Sequence, residues 1–311
     1  MRESLPAAAS DDRARGADSI LGRVSEPPQR HLFIGGLHRS GTTLLARLVA
    51  EHPDVGGLAG TGVPADEGQH LQTVYPRPSA GRQAGRFAFR PEAHLTERSP
   101  LATEENGRRL LAEWEPYWDA SRPVLVEKSP PNLLLSRFLQ ALVPGASFVF
   151  VVRHPVAVAG ATQKWSATRP HELLAHWTHA YRLALADAQH LERVLLVRYE
   201  DLVCDPDVQL ARVFGLVGLR DHAPGRVVAS GAGAHDPRAD PTLRVDVNER
   251  YFANWRRRRR HPLKLAYLAA LGRRYERPAR AFGYSVRRLS VGEPADPIVA
   301  RLVAAGREES I

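Results

Sequence analysis

The stretch "HLFIGGLHRSGTTLLARLVAEHPDV", His31 to Val55, decides how the rest of the chain is read. It opens on a short apolar run (31–37), breaks at a glycine-flanked turn, and resumes at Thr42 with apolar residues at helical spacing. A strand that ends in such a turn and feeds a helix gathers backbone N–H groups around one point, and the helix's positive end faces that point too. Arg39 adds a permanent charge, and Ser40, Thr42 and Thr43 add hydroxyl donors. The local alternative is a Gly-rich turn whose Ser or Thr caps the helix. Cation, glycines and hydroxyls together after a strand favour an anion site. Gly36 and Gly41 have the spacing of the nucleotide-binding loop G-x-x-x-x-G-K-[ST]. Here, however, Thr42 stands in the lysine position.

Three further apolar runs read as buried strands: "PVLVEK" (123–128), "SFVFVVRHP" (147–155) and "RVLLVRYEDL" (193–202). Helical patterns alternate with them, in "TTLLARLVAEH", "NLLLSRFLQALV", "PVAVAGATQKW" and "PDVQLARVFGLVG". Near-continuous apolar strands alternating with helices predict an α/β fold, a three-layer α/β/α sandwich of P-loop type around a mostly parallel sheet. Ligands of such sheets bind beyond the carboxyl ends of the strands. Arg153 and Lys128 end two of these strands and should reach the crevice that holds the loop. Arg153 suits bidentate phosphate contact, or else pairs with a carboxylate at the sheet edge; for Lys128 the alternative is a salt bridge. An ATP-using enzyme of this fold wants a lysine for the β/γ-phosphates and an acid at a strand end for Mg²⁺. This sheet presents cations there, which points to an anionic ligand held without metal.

The chain has 311 residues, 43% of them hydrophobic and 25% charged, the composition of an ordinary globular protein. Its net charge of +9 favours polyanionic ligands. No run has the length of a membrane span, and no apolar segment near the start reads as a secretory signal. Cys204 stands alone, so no internal disulfide is expected and cytoplasm is the default compartment. Residues 1–28 read as a disordered leader, 29–286 as the domain, and 287–311 as a tail with one short helix. Residues 56–100 are Gly- and Pro-rich with weak pattern. No metal-ligand spacing of Cys and His is visible. The Arg256–Arg260 run beside Tyr251 and Trp255 is no sufficient sign of a nucleic-acid partner without a matching fold.

The pairing of "HRSGTTLL" with a distant "VVRHPVAVAGATQKW" resembles the sulfotransferases that use 3′-phosphoadenosine-5′-phosphosulfate (PAPS). The likeness extends to "VEKSPPNLLLSRFLQALVPGASFVFVVRHP" and "LLVRYEDLVCDP", roughly residues 30–285. Its flavour is that of bacterial members of the carbohydrate, tyrosylprotein and small-molecule branch. The resemblance implies that Arg39 contacts the 5′-phosphate and bridging oxygen, and that Ser40, Gly41, Thr42, Thr43 and Leu44 cradle the phosphosulfate. It implies that Arg153 holds the 3′-phosphate and that Tyr199 lies near the adenine. The family's serine eight residues after that arginine is Ala161 here, with Thr162 as the candidate substitute. Arg256–Arg260 resembles a basic loop closing over the 3′-phosphate, and reads equally as a solvated charge cluster.

Sulfuryl transfer carries less negative charge than phosphoryl transfer, so fixed cations and loop N–H groups can stabilise the leaving bisphosphate. Arg39 and Lys128 are the candidates. The acceptor needs a base close to it. Glu67 is the first choice, by its likeness to the tyrosylprotein branch, with His70 next and Asp66 after it. Trp165, Trp114, Tyr117 and Trp118 are aromatics of the kind that line an acceptor pocket, though at such spacing aromatics more often belong to the core or an interface. The expected reaction is transfer to a hydroxyl, in second place an amine, of a sugar, glycolipid, peptide or secondary metabolite. An ATP-dependent P-loop kinase and a non-catalytic nucleotide or polyanion binder are the alternatives.

Overall fold

The structure, a computed structural model, describes residues 29–77, 85–219 and 248–306; the expected leader over 1–28 lies outside them. In chain order the elements are β1 (Arg30–Gly36), α1 (Thr42–Val49), β2 (Val55–Gly57), α2 (Glu104–Trp114), β3 (Val124–Lys128) and α3 (Asn132–Leu142). Next come β4 (Ser147–Val152), α4 (Pro155–Thr162), α5 (Pro170–Ala188), β5 (Val194–Arg198), α6 (Tyr199–Cys204) and α7 (Pro206–Leu216). Beyond residue 247 lie α8 (Glu249–Arg259), α9 (Pro262–Ala281), a ribbon of β6 (Tyr284–Ser285) and β7 (Ser290–Val291), and α10 (Pro297–Ala304).

Among the described residues the main sheet has the order β2-β3-β1-β4-β5, every pair parallel. Period-2 alternation sends its side chains into two cores. Leu32, Ile34, Val126, Val149 and Val197 pack with Leu45 and Leu48 of α1 and with Val213 and Phe214 of α7. Phe33, Leu125, Phe148, Phe150 and Leu196 pack against Trp114, Leu134, Trp177 and Tyr181 on the other face. Helices therefore cover both faces, the three-layer α/β/α architecture that near-continuous apolar strands require. Val299, Leu302 and Val303 of α10 join the second core.

Topology places the ligand crevice. From β1 the chain crosses to β2 on one edge, and from β4 to β5 on the other, so β1 and β4 are neighbours whose connections diverge. That is the switch point at which such sheets bind ligands. The "HRSGTT" loop follows β1 and Arg153 follows β4.

Two runs expected as long strands end early. The 147–155 run stops at Val152 because Pro155 sets the first turn of α4, whose N-cap is the His154 imidazole accepting from Val156 N–H at 3.2 Å. The 193–202 run stops at Arg198, and Tyr199 begins α6. β2 and α5 were not expected from pattern. β2 is three residues long in a Gly-rich segment, and the buried face of α5 mixes Leu with His176, Trp177 and Tyr181.

Candidate active site

The loop after β1 is tied to β4. Leu37 N–H donates to the Tyr181 hydroxyl at 3.4 Å, and that hydroxyl donates to the Val151 carbonyl at 2.7 Å. Ser40 N–H closes a turn onto the Leu37 carbonyl at 3.0 Å. Arg39 sits in the left-handed region, φ 69°, a conformation that costs a non-glycine residue about 1–3 kcal/mol and recurs at ligand sites. Gly41 has φ 107°, and a Cβ there would meet Tyr199 Cδ2 at 2.3 Å, so only glycine fits.

α1 has neither a side-chain N-cap nor an acid in its first turn to meet the amides that lack intrahelical acceptors. Ser40 Oγ is fully buried beside the Tyr181 hydroxyl and makes no hydrogen bond of normal geometry among the described residues. An uncapped helix end and a buried hydroxyl with no hydrogen bond of normal geometry are what a bound anion would complete, and the residues present fit a phosphate-bearing ligand. Thr42 is buried, while Thr43 and Leu44 are half-buried. The Arg39 guanidinium stacks 4.6 Å above the ring of Trp165, itself 56% exposed.

Arg153 is buried at the switch point. Its Nε donates to Asn248 Oδ1 at 2.9 Å and its Nη1 to the Arg39 carbonyl at 3.4 Å, which ties it to the loop. The rings of Tyr199 and Tyr251 flank the guanidinium at 4.1 and 5.4 Å. Asn248 is held by Glu200, a buried carboxylate accepting from Asn248 Nδ2, from His154 N–H at 3.0 Å and from the Tyr284 hydroxyl at 2.8 Å. Burial drives the neighbouring His154 down to about 3, so its imidazole is neutral; it donates through Nε2 to the Ser285 carbonyl. Thr162 is buried, and a Cβ built at Gly85 would lie 3.5 Å from its Cγ2. Lys164, two residues on, places Nζ 5.8 Å from the Tyr251 ring.

At the end of β3 the side chains alternate across the sheet. Lys128 donates to Glu67 Oε1 at 3.0 Å and to the Ala65 carbonyl at 3.1 Å. Gln69 Nε2 donates to Glu67 Oε2 at 2.6 Å, and His70 Nε2 lies 3.7 Å from the same oxygen. Lys128 thus makes the salt bridge weighed for it, with Glu67 as partner. Burial pulls the His70 imidazole below its ordinary range, against an opposing pull from Glu67. Asp66 turns the other way, accepting from the Thr61 hydroxyl at 2.6 Å and so closing its own loop. A cavity of about 140 Å³ between α1 and this edge is lined by Thr43, Arg47, Gly57, Asp66 and Lys128, among others.

Geometry therefore gathers Arg39, Ser40, Gly41, Arg153 and Tyr199 at one end of the crevice and Glu67, His70 and Lys128 at the other. The aromatic candidates divide. Trp114 and Trp118 are buried core residues whose indoles donate to the Gly68 and Val126 carbonyls, each at 2.9 Å, and only Trp165 reaches the loop. The Arg256–Arg260 run does not converge on one point: Arg256 pairs with Glu249, Arg257 with Asn254, Arg258 with Gln163 and Arg259 with the Arg287 carbonyl. Sequence reasoning missed Asn248, Tyr251, Lys164 and Glu127. Only Glu127 had a visible signal, an acid inside a buried strand.

Among the described residues no group of three or more His, Cys, Asp or Glu is arranged to hold a metal ion, and no helix is long and apolar enough to cross a membrane. The nodulation protein NoeE of Sinorhizobium fredii is 29% identical over 236 residues, 64% of this chain and 52% of that protein. A protein-tyrosine sulfotransferase of Drosophila melanogaster is 25% identical over 200 residues, 58% of this chain and 36% of that protein. The chain thus spans about half or less of the length of these relatives. Among solved structures, the sulfotransferase domain of the Synechococcus PCC 7002 olefin synthase aligns over 72% of this chain and 87% of that one, with a TM-score of 0.46 and 20% identity. Residues 31–223, more than half of the chain, match the model of the sulfotransferase family. That match runs from His31 in β1 past the end of α7 and takes in both ends of the crevice, and on it the chain belongs to the sulfotransferase family.

Proposed function

We propose that this protein moves a sulfuryl group from PAPS to a hydroxyl, in second place an amine, of a sugar, glycolipid or secondary metabolite. The observation that carries the reading is the convergence at the β1–β4 switch point: an uncapped loop and helix end, with Arg39 and a buried, aromatic-flanked Arg153 beside it. A single phosphate needs one such cradle. Two cationic sites tied by the Arg153–Arg39 contact suit a ligand with phosphates at both ends of a nucleoside, and Tyr199 beside Gly41 offers a ring to the base.

In this reading Arg39, Ser40, Gly41, Thr42, Thr43 and Leu44 hold the phosphosulfate, and Arg153 holds the 3′-phosphate. Thr162 or Lys164 supplies the second contact there. Glu67 takes the proton of the acceptor hydroxyl as its oxygen bonds to sulfur. The bond from sulfur to the bridging oxygen breaks, and its electron pair stays with the bisphosphate. Arg39, Lys128 and the amides of the loop meet that developing charge. Lys128 already lies in reach of Glu67, so charge neutralisation and proton removal are adjacent. His70 and Asp66 remain the other candidates for the base.

The test is transfer of radiolabelled sulfate from PAPS to a panel of methyl glycosides, a tyrosine-containing peptide and simple phenols. Labelled product that excess 3′,5′-bisphosphoadenosine suppresses supports the proposal. No product with any acceptor, together with phosphate transfer from Mg·ATP, overturns it.

A further inference from the structure

We propose that Glu127 is a positioning residue: its buried carboxylate, with Ser129 and Asn132, clamps the backbone of the loop carrying Glu67 onto the end of β3. Glu127 and Lys128 are adjacent and so point to opposite faces of the sheet. Both nevertheless grip the same segment, because residues 65–70 wrap across the strand's carboxyl end. On one face Lys128 takes the Ala65 carbonyl and the Glu67 carboxylate. On the other, Glu127 Oε1 accepts from Gly68 N–H at 2.9 Å and from the Ser129 hydroxyl, while Oε2 accepts from Asn132 Nδ2. Ser129 Oγ in turn accepts from Gln69 N–H at 3.1 Å, and the Trp114 indole donates to the Gly68 carbonyl.

Three successive polar backbone groups, Gly68 N–H, Gly68 C=O and Gln69 N–H, are thereby fixed by buried side chains directly after the candidate base. The fit leaves no room at position 68, where a Cβ would come 2.7 Å from Glu127 Cγ and 2.9 Å from Trp114 Nε1. Asn132 Nδ2 also donates to the Ile34 carbonyl at 3.3 Å, so the clamp is anchored to the strand that feeds the phosphate loop.

A fully buried carboxylate is costly unless hydrogen-bonded, and the parallel ladder of β3 is complete without it. Burial raises the Glu127 carboxyl above its ordinary range, with its three donors opposing. An apolar residue would serve the core as well. What an apolar residue cannot do is hold the loop in register with Lys128. Glu127 contacts no candidate ligand group, so it acts through the position of Glu67, and the inference rests on the reading of Glu67 as the base.

Glu127→Gln tests it, because the uncharged amide keeps one acceptor oxygen for three donors and sets its NH₂ against the rest. Hydrogen–deuterium exchange is measured across the whole chain, with titration of 3′,5′-bisphosphoadenosine and transfer to the best acceptor of the panel alongside. Amides of residues 65–71 should exchange about tenfold faster or more, the effect of losing hydrogen bonds to a charged group. Amides of β1 and β4 should be unchanged, bisphosphate affinity should hold within about twofold, and kcat should fall about 10- to 100-fold, as for a misplaced reacting group. Ser129→Ala should move all readouts the same way by less, and carries the test should Glu127→Gln not fold. Unchanged exchange at 65–71 overturns the proposal, as does faster exchange everywhere with matching loss of bisphosphate affinity. Glu67→Gln run in parallel separates the two readings: full turnover in that variant, with 65–71 still loosened by Glu127→Gln, removes Glu67 as the base and leaves the clamp standing.

Discussion

At the β1–β4 end of the crevice the groups brought together are backbone amides, a serine and two arginines. At the β3 end they are one carboxylate and one ammonium, each positioned by side chains from elsewhere. At the first end only the loop's own shape is local, with a left-handed Arg39, a glycine that alone fits under Tyr199 and a helix opening without a cap; Arg153 is set beside it by Asn248, 95 residues on, and by the Arg39 carbonyl, 114 residues back. The second is made by long-range contacts, the Gly68-to-Glu127 hydrogen bond closing a separation of 59 residues. The loop proposed to cradle the phosphosulfate is therefore written into one short motif. Glu67, the proposed proton acceptor, is held by tertiary structure.

If the two ends are separable in function, variants at each should move different quantities. The largest effect belongs to Glu67→Gln, which should lower kcat about 10²- to 10³-fold, within the range for loss of a general base, with bisphosphate affinity unchanged by calorimetry. Retained turnover would move the role to His70 or Asp66. Arg153→Ala should do the converse, weakening bisphosphate about 10- to 100-fold as a charged hydrogen-bonding partner worth about 1.5–3 kcal/mol is lost.

Smaller effects sharpen the donor end. Lys164→Met and Thr162→Val compete for the second phosphate contact: the variant that weakens bisphosphate about twofold to fivefold, the loss of one hydrogen bond or weak ion pair, identifies the residue in use. Acid should destabilise this end too. His154 and His176, both held down to about 3 by burial, stay neutral when folded, whereas the unfolded chain protonates them below about 6.5. Their contribution to stability is present above that pH and is lost as pH falls toward 3. Thermal unfolding midpoints should drop through pH 6 to 4, less steeply in His154→Asn. Smallest of all, Arg256→Gln with Arg257→Gln should change bisphosphate affinity by less than about twofold, because those guanidinium groups pair with Glu249 and Asn254 on the exposed side of their own helix.

The same division explains what was legible in the sequence. The loop after β1, Arg153 and the parallel sheet could be read because each depends on neighbours along the chain: apolar runs, a glycine spacing, a basic residue at a strand end. Asn248 and Tyr251 could not, since their part is to pack around Arg153 from a segment about 95 residues later, whose aromatics and Arg run carry no sign of that partner. Trp114 and Trp118, open in the sequence between an acceptor pocket and the core, lie in the core, because spacing alone cannot tell which face of the sheet a tryptophan covers. Glu127 stood in plain view as an acid among valines. Its partner, an amide at residue 68, is supplied only by the fold.

In the proposed function the β1–β4 end holds a nucleoside bearing phosphates at both its 3′ and 5′ positions. Calorimetric titration with 3′,5′-bisphosphoadenosine in the presence of a chelator tests this most directly, with Mg·ATP as the comparison. One-to-one binding of the bisphosphate without divalent metal is expected, and its loss in Arg153→Ala. Tighter binding of Mg·ATP, or bisphosphate affinity indifferent to Arg153→Ala, would contradict it.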